Sequence, residues 1–342
     1  MKLFKKLASF MLAFTMVMAI AMPSVVMAAD TTYKLTLQNT VEGHTYEVYQ
    51  VFSGTLSTKN NKKVLSGLKW GSGVKADAYT ETAKAKAETL TDETTARAFA
   101  KELVDQKKLS AATKTVQSTT GTTEIAGLAA GYYLVKDTDS SLANKHDSYT
   151  VYILQVVGDA TTSVKSDVPS SEKKVKDIND STDTETTGWQ DAADWDIGDE
   201  VPFKIEGTLP SNYEKYTKYT LKFHDKQQAG LTFKRDSVKV FIDDTEITEG
   251  FTVVENPGDG DTFDVVFENL KTTSAKNGSK VRVEYKSELN QNANLGELGN
   301  KNTMYMEFSN NPNNEQGGET DETGKTPEDT VIVFTYKVSV NK

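Results

Sequence analysis

Three polar side chains in the second half of the chain share a phase with apolar neighbours, and together they could carry out a reaction. In a strand, residues two apart share a face. Over Glu172–Ile178, Val175 marks the inward face and Lys173 shares its phase. Over Tyr216–Asp225, Tyr219, Leu221 and Phe223 form the inward set and Asp225 continues it. Over Thr303–Asn310, Met304, Met306 and Phe308 point inward and Asn310 continues them. Desolvation drives such groups to pair or to lose their charge. A neutral lysine is a nucleophile, and a neutral aspartic acid can polarise a carboxamide carbonyl. Attack of Lys173 Nζ on Asn310 Cγ, with loss of ammonia, gives a side-chain amide. The chain would then act once, on itself. Well-oriented groups reach effective molarities of about 10⁵ M. Two plainer arrangements stand beside this one. A register one residue away brings Lys174 inward instead, and polar groups at strand ends often turn to water.

The elements that must position these groups are mostly strands. Thr32–Thr40 alternates, with Tyr33, Leu35 and Leu37 on one face. His44–Phe52 carries apolar residues in both phases, Tyr46 and Val48 in one, Tyr49 and Val51 in the other. The period then changes. Ala96, Phe99, Ala100, Leu103 and Val104 predict a helix over Thr91–Lys107 with Thr91 as its N-cap. The Ala-rich stretch Val74–Leu90 predicts a second helix or an irregular arm. Strands return at Thr123–Leu128, Tyr132–Lys136 and Tyr149–Val157. Asp159–Glu172 is polar, contains Pro169, and reads as an extended linker between a first domain at 30–165 and a second at 166–342. Beyond it, strands are expected at Glu172–Ile178, Glu200–Leu209, Tyr216–Asp225, Ser237–Ile242, Thr262–Glu268, Lys280–Leu289, Thr303–Asn310 and Thr330–Val340. Short strands separated by turns favour an immunoglobulin-like sandwich. The acidic stretches Asp177–Thr187 and Asp259-Gly260-Asp261 read as solvated turns, and neither matches an EF-hand loop. No metal or cofactor is expected.

Composition sets the setting for this chemistry. The 342 residues hold 39 Lys+Arg, 49 Asp+Glu, three His and no Cys, for a net charge of −10. That balance argues against nucleic acid as a partner, because phosphate binding needs a basic face. Absence of Cys removes disulfides, thiolate nucleophiles and Cys-based zinc sites. Residues 1–29 have a basic start (Lys2, Lys5, Lys6), an apolar run at Leu7–Met22, and small residues at Val26-Met27-Ala28-Ala29. They read as a secretory signal peptide, and its three lysines take the charge from −10 to −13 on removal. Small exported folds usually rely on disulfides, so a Cys-free one needs a large core or another covalent staple.

Several motifs carry a family resemblance. The first half shows His44-Thr45-Tyr46-Glu47-Val48-Tyr49-Gln50-Val51-Phe52-Ser53-Gly54, then Gly131-Tyr132-Tyr133-Leu134-Val135-Lys136-Asp137 and Ile153-Leu154-Gln155-Val156-Val157-Gly158-Asp159. The second shows Pro169–Val175, Ile197-Gly198-Asp199 before Val201-Pro202-Phe203, and Gly299-Asn300 leading to Phe308-Ser309-Asn310-Asn311-Pro312. With these the chain resembles the major (backbone) pilin subunits of sortase-assembled Gram-positive pili, over essentially all of the sequence after the leader.

The resemblance implies a mainly β fold of tandem Ig-like (Cna-type) sandwich domains, the first with an inserted helical segment. It implies a structural, non-enzymatic role in the pilus shaft. It also implies a Lys–Asn isopeptide bond helped by an acid, which matches Lys173, Asn310 and Asp225, with Asn311 and Glu206 as second choices. Such a bond closes a loop of roughly 140 residues, worth about 5 kcal/mol if its entropy behaves like a disulfide's. By position, Lys165 resembles the pilin lysine that a sortase joins to the next subunit, although the Tyr-Pro that often precedes it is absent. The implied partners are identical subunits, a pilin-specific sortase and host surface ligands, at the cell wall. A further β domain and a sorting motif belong to the family pattern and are not in these 342 residues, so the sequence reads as a fragment or a truncated record. Lys34 and Asp137 are further first-domain candidates, but Lys34 opposes the phase of Leu35 and Leu37. An alternative on the same fold is an adhesin module for matrix or glycan, with Trp70, Trp189 and Trp195 as candidate contacts. No hydrolase motif such as G-x-S-x-G or H-E-x-x-H occurs.

Overall fold

The computed structural model describes residues 31–336, except 60–61, 140, 144, 165–166, 180–183 and 313–322. The leader at 1–29 and Lys165 lie outside the described residues. The described residues fall into two compact units, one within 1–141 and 150–165, the other within 142–149 and 166–342.

The first unit contains β1 (Tyr33–Thr40), β2 (Thr45–Lys59), β3 (Lys62–Trp70), α1 (Ala83–Glu88), α2 (Glu93–Asp105), β4 (Lys114–Gln117), β5 (Gly121–Leu128), β6 (Gly131–Asp137), β7 (Val151–Val156) and β8 (Ala160–Ser163). Among the described residues these make a sheet in the order β5-β1-β8 and another in the order β3-β2-β6-β7, with β4 on β2. The two-phase apolar pattern of His44–Phe52 has a direct cause, since β2 is buried on both faces. Tyr46 and Val48 pack with Leu35, Leu37, Ile125, Tyr133 and Val135. Tyr49, Val51 and Phe52 pack on the other face with Phe99, Ala100 and Leu103 of α2.

Asp92 caps α2, one residue past the expected Thr91. Its carboxylate accepts the Thr95 N–H at 2.8 Å, and its own N–H donates to Thr95 Oγ1 at 3.1 Å. The expected linker 159–172 is partly strand. β8 lies parallel to β1, with Leu35 opposite Ala160 and Gln38 opposite Ser163. A short polar edge strand has no apolar alternation to betray it.

The second unit contains β9 (Ser170–Asn179), β10 (Thr184–Gln190), β11 (Ala192–Asp194), β12 (Glu200–Thr208), β13 (Leu221–Gln227), β14 (Leu231–Ile242), β15 (Thr245–Ile247), β16 (Thr252–Glu255), β17 (Phe263–Phe267), β18 (Lys280–Leu289), β19 (Asn300–Ser309), β20 (Thr323–Lys325) and β21 (Asp329–Phe334). Among the described residues one sheet runs β10-β9-β12-β18-β14-β15 and the other β11-β21-β19-β13-β17-β16, with β20 on β19. Val175, Phe203, Ile205, Val281 and Val283 of the first share a core with Phe223, Phe263, Val265, Met304, Met306 and Val331 of the second. The class is therefore mainly β, with sandwiches and a helical insertion in the first unit.

Boundaries differ from the sequence reading where side chains other than aliphatics fill the core. Tyr213, Tyr216 and Tyr219 form edge-to-face pairs at 5.0 and 4.8 Å around a 3₁₀ turn at Tyr213–Lys215, so β13 starts only at Leu221. β19 starts at Asn300, three residues before the expected Thr303. Within the expected loop 177–187, residues 177–179 end β9 and pair with β10, Thr184 opposite Asn179.

Candidate functional site

Register decides which groups of the second unit meet. β9 pairs with β12, Lys173 opposite Ile205, which puts Lys173 on the inner face with Val175. Lys174 points outward, where its Nζ meets Asp191 Oδ1 at 2.6 Å. On β13, Leu221, Phe223 and Asp225 alternate inward, and Asp225 lies opposite Met304 of β19. Across the sandwich Lys173 Nζ and Asp225 Oδ2 form an ion pair whose side chains are both fully buried. Tyr285, on the inner face of β18, completes a triangle. Its hydroxyl accepts from Lys173 Nζ at 2.7 Å and donates to Asp225 Oδ2 at 2.6 Å. The other carboxylate oxygen accepts from Gln227 Nε2 at 3.1 Å, and Gln227 Oε1 accepts from Ser287 Oγ at 3.0 Å.

Burial holds the Lys173 amine below the ordinary lysine value, against the opposing pull of Asp225. Burial and then the Asp225 charge push the Tyr285 phenol well above its usual value. A buried ion pair must overcome a large desolvation penalty and is weak evidence for stability. Here it has extra hydrogen bonds, and it sits beside a carboxamide.

That carboxamide is Asn302. Asn300, Asn302 and Asn310 are all fully buried and share the phase of Met304, Met306 and Phe308. Phase therefore cannot choose among them, and position along the strand can. Asn302 is two residues from Met304, and its Nδ2 donates to Tyr285 Oη at 2.8 Å. Its Oδ1 has no hydrogen-bond partner. Lys173 and Asn302 thus touch the same hydroxyl. The structure does not bring Asn310 to Lys173. Asn310 lies six residues past Met304, about 20 Å along an extended strand. Its Nδ2 donates to the Leu142 carbonyl at 3.0 Å and its backbone carbonyl accepts Tyr149 N–H at 2.8 Å, so it holds Leu142 and Tyr149, while its Oδ1, like that of Asn302, has no hydrogen-bond partner. Asn300 holds the backbone of Asn294 and Val333. Asn302 was missed because the strand was expected to begin one residue after it, and Tyr285 because a tyrosine on an apolar face reads as packing.

Other candidates are placed elsewhere. Glu206 faces away from Lys173 and bonds Lys280 Nζ at 2.6 Å. Lys34 pairs on the surface with Glu124 at 2.7 Å, while buried Asp137 binds His44 Nδ1 at 2.8 Å and the Thr150 N–H at 2.7 Å. Trp70 stacks on Tyr79 at 4.3 Å, Trp195 Nε1 donates to the Lys176 carbonyl at 3.0 Å, and Trp189 lies beneath the ammonium groups of Lys176 and Lys204. None of the three stands exposed. Among the described residues, no helix is long and apolar enough to cross a membrane.

A two-sheet β unit of this kind occurs in the major pilins of Gram-positive bacteria, and this chain resembles them in sequence and shares their fold. It is 28% identical over 202 residues to the trypsin-resistant surface T6 protein of Streptococcus pyogenes serotype M6, covering 53% of this chain. Its fold matches the T6 backbone pilin of S. pyogenes with TM-score 0.58 at 21% identity over 90% of this chain. It matches the full-length major pilin SpaD of Corynebacterium diphtheriae with TM-score 0.52 at 18% identity over 87%. The match takes in 35% of the curated T6 protein, and 65% and 64% of the two solved chains. No protein-family profile matches the chain. The proteins it resembles are structural pilins, not enzymes.

Proposed function

We propose that this chain is a shaft subunit of a covalently polymerised cell-surface pilus, and that its second unit is welded by an amide between Lys173 and Asn302. The observation that carries the weld is the buried cluster of Lys173, Asp225, Tyr285 and Asn302 in a chain with no Cys. Asn302 takes the acceptor role that strand phase and the family resemblance together assigned to Asn310.

The chemistry balances within the cluster. Asp225 takes one proton from the Lys173 ammonium and leaves a neutral amine. Nζ attacks Asn302 Cγ. Asp225 then passes a proton to the departing amide nitrogen and takes up the second Nζ proton. The Cγ–Nδ2 bond breaks, ammonia leaves, and the new Nζ–Cγ amide keeps one hydrogen. Tyr285 orients amine and carboxamide throughout. Proximity supplies the acceleration, since the fold holds both groups in place. The product also removes the costliest feature of the core, because a buried charge pair becomes a neutral amide beside a protonated acid.

The bond would link β9 of one sheet to β19 of the other across a loop of about 130 residues. An amide is indifferent to redox conditions, which suits an exported rod without disulfides. The T6 relative is described as trypsin-resistant, and a cross-linked sandwich here would resist proteolysis for the same reason that it resists unfolding.

Polymerisation would place Lys165 as the acceptor lysine for a pilin-specific sortase, with identical subunits as partners and the cell wall as destination. The test is expression of the chain, extended at its C-terminus by a sorting motif, together with the sortase in a Gram-positive host. Lys165→Ala should abolish the high-mass ladder of cell-wall extracts while the secreted monomer persists. A ladder that survives assigns the acceptor to another lysine, and a parent chain that forms no ladder rejects the shaft reading.

A further inference from the structure

β13 supplies Asp225 to the interior and His224 to its other face, where a second polar cluster sits. His224 is 2% exposed and stacks on Tyr305 of β19, ring centroids 4.2 Å apart and planes 8° apart. Its Nδ1 faces three carboxylates: Asp261 Oδ2 at 2.9 Å, Asp264 Oδ1 at 3.2 Å and Asp259 Oδ2 at 3.8 Å. Its Nε2 faces Glu307 Oε2 at 3.3 Å. Asp264 is opposite His224 in the β13–β17 register and 1% exposed. Its Oδ2 meets Lys222 Nζ at 2.6 Å, whereas its Oδ1 receives no hydrogen bond and points into the cluster. Four carboxylates thus face the imidazole, with Lys222 Nζ on Asp264 and Lys325 Nζ 5.2 Å from the Tyr305 ring that stacks on it. Burial opposes protonation of the imidazole, but the Asp264 and Glu307 carboxylates outweigh it and raise the His224 pKa to about 9. Burial, with Asp259 and Asp264 nearby, pushes the Asp261 carboxyl up although His224 pulls it down.

We propose that His224, Asp259, Asp261 and Asp264 bind one divalent cation that accepts both nitrogen and oxygen ligands, Zn²⁺ or Mn²⁺, with Glu307 orienting the imidazole. The candidate ligand atoms all lie within 4.8 Å of one another. A tetrahedral ion with bonds near 2.1 Å sets its ligands about 3.4 Å apart, and the three distances at Nδ1 bracket that value. The outer partner is also in place, because a metal-bound histidine characteristically donates its other N–H to a carboxylate. The mixed donor set favours a transition ion over Ca²⁺ or Mg²⁺, which prefer oxygen alone. Binding replaces the Nδ1 proton with the metal and releases that proton to solvent, while Nε2–H stays on Glu307. The ion would fix the turn at 256–261 to β13 and β17.

The site is tested on the untagged secreted chain, stripped with a chelator and titrated with ZnCl₂, MnCl₂ and CaCl₂ by calorimetry. One Zn²⁺ should bind per chain, with proton release read from buffers of different ionisation enthalpy. Asp259→Asn should weaken binding about tenfold or more, and Glu307→Gln by a similar factor. The Asp259 side chain is 44% exposed, so its replacement keeps the fold. No binding at millimolar Zn²⁺ overturns the proposal. So does equal affinity in the parent and in both Asp259→Asn and Asp261→Asn, or a preference for Ca²⁺ over Zn²⁺.

Discussion

The Tyr285 hydroxyl accepts the Asn302 amide at 2.8 Å, and the same oxygen accepts the Lys173 ammonium at 2.7 Å. One phenol therefore holds the two ends of the proposed bond. Tyr285→Phe keeps the ring packing against Phe203 and Phe263 and deletes this bridge. It should slow the reaction without abolishing it, so that freshly purified protein contains a fraction still carrying its ammonia. Mass spectra taken over hours after refolding read that fraction, and a rate equal to the parent's would remove Tyr285 from the mechanism.

Loss of the cross-link should be felt as stability. A loop of this length is worth about 5 kcal/mol, and for a domain of this size each kcal/mol shifts Tm by about 2–4 °C. Asn302→Ala and Lys173→Met should each lower the melting temperature of the second unit by about 10–20 °C. Calorimetry checks this, and a shift of only a degree or two would mean the bond is absent or bears no load.

Asn310→Ala separates the two asparagines. It removes the hydrogen bond to the Leu142 carbonyl and should cost about 1–3 kcal/mol through the buried carbonyl left unpaired. It should leave the cross-linked mass unchanged. Ammonia regained in Asn310→Ala, and not in Asn302→Ala, would return the acceptor role to Asn310.

In the Asn302→Ala chain the Lys173 amine stays free, and its titration becomes visible. Burial lowers its folded-state pKa below 10.5, so the unfolded chain binds the extra proton and stability rises with pH. The contribution is complete only above 10.5 and is lost as pH falls through the lowered folded value. Urea unfolding of Asn302→Ala from neutrality upward should show this slope, and the double variant Lys173→Met/Asn302→Ala should lack it. Equal slopes would show that the amine is not desolvated.

Much of this site was legible in strand phase. Val175 fixed the face of Lys173, and the Leu221–Phe223 alternation carried Asp225 inward. Phase repeats every two residues and cannot count along a strand, so it could not tell Asn302 from Asn310. That choice rests on the Asp225–Met304 register, a tertiary fact. Strands with apolar alternation, such as Lys280–Leu289, were readable to the residue, whereas β8, β10 and β11 were not, because small polar edge strands have no such pattern. The His224 cluster was hidden for a related reason. Asp259 and Asp261 read as a solvated turn, and only pairing of β13 with β17 sets a buried histidine beside them.

Intact mass of the secreted chain, followed by tandem mapping of its peptides, tests the central claim most directly. The predicted result is a mass short by one ammonia and a branched peptide joining Lys173 to Asn302. A full mass, or unmodified peptides containing both residues, would contradict it.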